Sequence, residues 1–291
     1  MTSVLLCLAG RLLGSVTASV LQKRLLSAGV GTGRLWLVTY GYLLVPAVGI
    51  LAASRGMAGP EFWTAALMAA LLDVAGNVAM ASALRDTDLS IFGPLNAFRP
   101  ALAWIAGWLF LGEHPTTSGI AGVIILTLGA FWLLWPSGAN GSSEGSTGRL
   151  RAAAWRLAGL ALSTAGAVFL KRATLTGSVG LTLGVWIVGG WLSTLILWVA
   201  THRFRSLLWN HAVPNLRASL GLHAAVFLVM QWLTLEVFRR TLLTYSFAFF
   251  QLGMVLQVLI GRWVLREAEF RKRLVACLVM GIGALLVLIG G

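Results

Sequence analysis

Five stretches of this chain carry no charged residue at all: Leu35–Ser54, His114–Ser143, Ala173–His202, Thr241–Gly261 and Leu274–Gly291. A helix needs about 20 apolar residues to cross the hydrocarbon core of a bilayer. It is also the structure that satisfies its backbone polar groups internally when no water is present. The rest of the chain agrees. It is 58% apolar and 11% charged, against about 45–50% and about 25% in soluble domains, and in water such a surface would expose contiguous greasy patches. These features predict an all-α polytopic membrane protein in contact with the lipid bilayer. The net charge of +13 is spread singly and in pairs between apolar runs, as membrane-flanking charge is, and not as a nucleic-acid-binding stripe. Cys7 and Cys277 each sit inside an apolar stretch, without disulfide or zinc spacing. The first apolar segment carries Arg11 and lacks a small-residue cleavage site, so it reads as a span and not as a cleaved signal.

Apolar runs read against their charged punctuation give ten spans: 3–22, 34–54, 61–84, 89–111, 117–135, 154–174, 179–201, 213–238, 243–262 and 272–290. Between the fifth and sixth lies Pro136–Gly148, a Gly/Ser-rich linker at the middle of the chain. A central linker suggests duplication. Residues 82–135 align without gaps onto 236–289 at an offset of 154, and ten of those 54 positions are identical. Shared leucines carry little weight in apolar sequence. Arg85/Arg239, Thr87/Thr241, Gly107/Gly261, Glu113/Glu267 and Gly129/Gly283 carry more. Five spans per half is an odd number, so the second half must insert upside down relative to the first, as in the inverted repeats of secondary transporters. The expected organisation is a five-helix repeat over 1–135, a linker over 136–153 and a second repeat over 154–291.

Gly93-Pro94-Leu95-Asn96, the run Gly107-Trp108-Leu109-Phe110-Leu111-Gly112-Glu113-His114-Pro115-Thr116, and Gly119-Ile120-Ala121-Gly122 with Gly129-Ala130 resemble an EamA domain. The second copy, Gly261 through Glu267 to Gly281-Ile282-Gly283, is similar but lacks the proline after its glutamate. EamA domains form the ten-helix branch of the drug/metabolite transporter superfamily. With no nucleotide-binding or redox-cofactor motif in the chain, the resemblance implies a secondary transporter or facilitator that uses no cofactor.

Ionisable groups inside a span are costly and mark function by default. Arg11 in span 1, Asp73 in span 3 and Arg99 in span 4 are of this kind. Arg99 lies between Pro94 and Pro100, which cannot donate ladder hydrogen bonds. A fixed cation beside freed carbonyls would suit a ligand bearing a carboxylate or phosphate, unless Arg99 pairs with Asp73 as a structural ion pair. Asn96, Arg99 and Ala103 share a helical face. The offset maps Ala103 onto Gln257, which is expected to face the same cavity, and Gln251 onto Ala97, which is expected to face elsewhere. Asp73 and Asn77 stand one turn apart on span 3, and Gln231 is the mate of Asn77. Arg11, Ser15, Ser19 and Gln22 form a polar stripe on span 1, where the serines read as packing residues. Glu113 and Glu267, at span ends, are expected to cap the next helix. His223 reads as a packing or hydrogen-bonding residue. Trp36, Trp63, Trp135, Trp155 and Trp209 read as interface anchors, and the deeper Trp104, Trp108 and Trp232 as core, with stacking on a ligand as the alternative.

These residues predict an alternating-access transporter of a small organic solute in the plasma (inner) membrane, with amino acids and related metabolites first. Arg99 would hold the anionic group, and Asp73, Asn77, Asn96, Gln231, Gln257 and Arg11 the remaining polar groups. A flippase for a phosphate-bearing lipid carrier would use the same arginine. An intramembrane enzyme would need a catalytic cluster that no spacing here supplies, and a scaffold would have no use for buried charge. Setting aside Arg11 and Arg99, 15 of the other 20 Lys and Arg fall on one side, and five (Arg55, Lys171, Arg172, Arg239 and Arg240) on the other. The positive-inside rule then puts both termini outside the cytoplasm, whereas the family resemblance implies the reverse.

Overall fold

A computed structural model describes residues 2–54, 58–85, 97–134, 146–200, 215–265 and 270–290. Among them all regular structure is helical: α1 (Thr2–Ser27), α2 (Thr32–Ala53), α3 (Pro60–Arg85), α4 (Arg99–Leu111), α5 (Thr117–Leu134), α6 (Ser146–Thr176), α7 (Val179–Ala200), α8 (Leu216–Arg240), α9 (Leu243–Leu265) and α10 (Phe270–Gly290). Stretches within α1, α2, α7 and α8 are long and apolar enough to cross a membrane. The helices α2, α3, α5, α7, α8, α9 and α10 begin and end within three residues of the expected spans.

Two helices outrun their spans. The chain keeps α1 helical through Arg24, whose charge in the last turn favours the negative end of the helix dipole. Gly29 then ends it in the left-handed region, at φ 87°. The Gly29 N–H donates to Leu26 O at 3.0 Å and the Val30 N–H to Leu25 O at 3.1 Å, the paired bonds of a Schellman motif. At its own start, α6 reaches back to Ser146, into the end of the Gly/Ser linker. Once nucleated, a helix extends at little cost per residue. One consequence bears on the charge count: Lys171 is 5% exposed inside α6 and so is not a solvated flanking charge.

By packing, the chain forms two compact units, and each draws on both sequence halves: Met1–Val74 with Phe169–Arg239, and Ala75–Val168 with Arg240–Gly291. In the first unit α2 packs along α7. Phe62, fully buried among Ala65, Ala66 and Ala173, anchors α3 on α6. Leu25, Val30, Leu35, Leu216 and Leu220 form a second apolar cluster. An aromatic group of Trp36, Tyr40, Trp186 and Phe227 fills the centre, its rings mostly tilted or edge-to-face at 5.3–6.2 Å.

In the second unit α5 packs along α10, and the crossing carries the internal repeat. A Cβ added at Gly122 would stand 2.6 Å from Gly283 O, and one at Gly129 would stand 3.2 Å from Ala276 O. At the offset of 154, Gly122 maps to Ala276 and Gly129 to Gly283, so each contact is the image of the other. A second such pair joins Gly129 to Met280 and Gly283 to Leu126. A contact set that maps onto itself when the two helices exchange is the mark of an approximate two-fold axis. Small residues there let backbones approach, the usual basis of helix association in lipid.

Candidate functional site

In the second unit, the chain enters α4 through a turn at Ala97 and Phe98, and Arg99 is the first helical residue. This changes its expected setting. Pro100 lies in the first turn, where a missing N–H costs nothing, so it opens a helix and does not loosen one; Pro94 lies outside the described residues. The first intrahelical bond runs from Leu102 N to Phe98 O. The backbone therefore presents N-terminal amides beside Arg99, not freed carbonyls, and both the amides and the positive end of the helix dipole favour an anion.

Two neutral side chains orient the half-buried guanidinium. Arg99 Nη2 donates to Ser163 Oγ at 2.9 Å, and Ser163 in turn donates to Leu160 O at 3.1 Å. The guanidinium carbon lies 5.0 Å from the centroid of Phe247 on α9, a cation–π arrangement. Ser163 and Phe247 are themselves buried. The α6 backbone at Ser163 is approached closely by α3, since a Cβ at Gly76 would stand 3.0 Å from Ser163 N. One turn beyond Phe247, Gln251 donates from Nε2 to Ala97 O at 2.8 Å. The residue expected to face away is thus tied to the segment that launches Arg99. Ala97 and Gln251 are mates under the offset of 154, so this bond joins equivalent positions and lies near the two-fold axis.

Next to this site, Glu113 caps a helix, but not the next one. Gly112, at φ 63°, turns the chain back so that Glu113 Oε2 accepts from Leu243 N at 2.7 Å. That amide opens α9, from the other half of the sequence. The start of α5 is instead capped by Thr116, whose Oγ1 accepts from Gly119 N at 3.1 Å. The Tyr245 hydroxyl accepts from Thr116 N at 3.1 Å and rests on Gly119, where any side chain would collide with it. Glu267 lies outside the described residues.

The remaining candidates divide as follows. Arg11 and Asp73 are half-buried and Gln231 is buried, all in the first unit. Arg11 lies between Gly10 and Gly14, which abut Leu233 and Met230 of α8, the residues bracketing Gln231. Tyr40 lies within electrostatic range of Asp73. Asn77 and Gln257 belong to α3 and α9, but their side chains, like Asn96 as a whole, lie outside the described residues. His223 is buried, with Nδ1 3.1 Å from Thr39 Oγ1 and its ring stacked on Phe227, the packing and hydrogen-bonding role expected of it. Trp36, expected as an interface anchor, is half-buried and packs its ring against Tyr40, His223 and Phe227. Conversely Trp108 and Trp232, expected in the core, are 55% and 40% exposed. No cluster of His, Cys, Asp or Glu able to hold a metal occurs among the described residues.

Sequence reasoning missed Ser163, Phe247, Gln251 and Lys171. The Ser163-Thr164 pair in an apolar span was a usable signal. Lys171 was counted with Arg172 among the charges flanking a span, and nothing local distinguishes Phe247.

Comparison with known proteins agrees with this architecture. The model of the EamA-like transporter family matches residues 1–135. No curated protein matches the chain by sequence. A solved structure titled "Crystal structure of protein" superposes with a TM-score of 0.74 over 100% of this chain and 98% of its own, at 16% identity, a likeness of fold. Residues 1–135 thus carry an EamA-like transporter family domain, and the chain is a multi-pass integral membrane protein.

Proposed function

We propose that this protein is a secondary transporter of a small organic solute bearing an anionic group, an amino acid or related metabolite, moved by alternating access across the plasma (inner) membrane. The observation that carries this reading is Arg99: a half-buried cation at the start of the apolar helix α4, held by Ser163 and Phe247. These contacts fix the direction of the guanidinium. A planar guanidinium beside N-terminal amides matches a carboxylate in two-pronged geometry. Arg11, Asp73, Asn77, Asn96, Gln231 and Gln257 are proposed to meet the solute's other polar groups at some stage of the cycle.

The test is ligand-dependent thermal stabilisation of the purified protein in detergent, screened over amino acids, nucleotides and polyprenyl phosphates. Stabilisation by amino acids should vanish in Arg99→Gln, with the unliganded melting temperature unchanged. If Arg99→Gln instead unfolds the protein and Asp73→Asn restores it, the arginine is a structural partner and the reading fails. Stabilisation by polyprenyl phosphates alone would mean a lipid-carrier flippase.

A further inference from the structure

We infer that Gln251 reads the solute: its Oε1 accepts a hydrogen bond from an N–H or O–H donor carried beside the anionic group that Arg99 holds. This rests on the transport reading above and narrows it to acids with a donor at C2, as in 2-amino and 2-hydroxy acids.

The orientation of the amide follows from its partner. A backbone carbonyl can only accept, so the group 2.8 Å from Ala97 O must be the Nε2 amide. Oε1 therefore faces away from Ala97. Gln251 is 7% exposed, and its Oε1 is buried with no hydrogen-bond partner among the described residues. A buried acceptor without a donor is costly, and one persisting in a native protein calls for an explanation. Its position supplies one. The bond to Ala97 puts the amide two residues before Arg99. Phe247, which carries the guanidinium, is one turn away on the same face of α9. One short stretch thus offers a donor array for an anion and a single acceptor for a donor. Gln251 also bonds to its own repeat mate, which puts it near the internal two-fold axis. Sites at the repeat interface are where transporters of this architecture hold substrate. A 2-oxo acid would face Oε1 with a second acceptor, and a site with an unmet buried polar group rejects such an analogue.

The experiment compares matched acids on the purified full-length protein: leucine, phenylalanine and glutamate, each with its 2-hydroxy and 2-oxo counterpart. Affinity is read by calorimetry in detergent and by competition for uptake into proteoliposomes. The wild type should prefer the 2-amino or 2-hydroxy acid over the 2-oxo acid by at least about tenfold. In Gln251→Met, close in shape but without the amide, that ratio should fall to within about twofold while the 2-oxo acid still binds. Equal binding of all three members of a set by the wild type overturns the inference, as it would if a bound water satisfied Oε1. So does a Gln251→Met variant that weakens every acid by the same factor, which would mark a packing role. Should Gln251→Met fail to fold, the wild-type ratio alone decides. If the wild type binds none of the acids, the anion-transport reading fails and takes this one with it; if it binds them without discrimination, only the role of Gln251 falls.

Discussion

Alanine at three glycines of the α5/α10 crossing should separate packing from helix propensity. Gly281 has open space where a Cβ would go, so Gly281→Ala only gains propensity, about 0.5–1 kcal/mol. Two residues on, a Cβ at Gly283 would stand 2.6 Å from Leu126 N and 2.7 Å from Gly122 O. Both atoms are backbone and cannot rotate away. Ordinary contact begins at 3.4 Å, so α5 and α10 must part locally by about 0.8 Å. A gap of 0.5–1 Å forfeits a quarter to a half of the dispersion energy of the contacts it opens, and forced overpacking costs about 1–3 kcal/mol. Gly129→Ala is intermediate: its nearest neighbour is Met280 Cγ at 2.8 Å, a flexible side chain, with backbone only at 3.1 Å and beyond. Thermal unfolding of the three variants in one detergent should therefore rank Gly281→Ala at or above wild type, Gly129→Ala slightly below it and Gly283→Ala lowest. At about 2–4 °C per kcal/mol, Gly283→Ala should lie about 2–12 °C below wild type. Equal stability of Gly283→Ala and Gly281→Ala would refute the close backbone approach, and with it the two-fold crossing built on it.

Other expectations follow from single contacts. Arg99→Lys keeps the charge but loses the planar fork, so solute affinity should fall by about tenfold or more while melting in its absence stays put. Ser163→Ala removes the acceptor of Arg99 Nη2, a bond worth about 1 kcal/mol, and should raise KM several-fold with little effect on stability. Glu113→Ala leaves the Leu243 amide without its carboxylate and should cost about 1–2 kcal/mol in thermal unfolding, with Glu113→Gln recovering part of that. Ser143→Cys, on a background with Cys7 and Cys277 replaced by Ala, should resist a membrane-impermeant maleimide in intact cells. Labelling there would put the linker outside and reverse the orientation proposed from the positive-inside rule.

The spans were legible because hydrophobic length is a one-dimensional property: a stretch such as Val179–Ala200 either suits the bilayer or does not, whatever surrounds it. The repeat was legible because the offset of 154 runs without gaps, and the crossing of Gly122 and Gly129 on Ala276 and Gly283 is its three-dimensional image. What hydropathy cannot report is which face of an apolar helix meets protein and which meets lipid, since both surroundings are apolar and the amphipathic period of soluble helices is absent. Trp108 and Leu126 are equally at home in their spans, yet one is 55% exposed and the other fully buried. Only the tertiary structure could send Glu113 to an amide 130 residues away, bury Lys171 inside α6, and place Gln251 against Ala97. Arg99 marks the boundary between the two. A charge in an apolar run announces itself in any sequence, because its desolvation is costly wherever the helix lies. That it opens α4, braced by a serine from α6 and a phenylalanine from α9, depends on neighbours that no local pattern names.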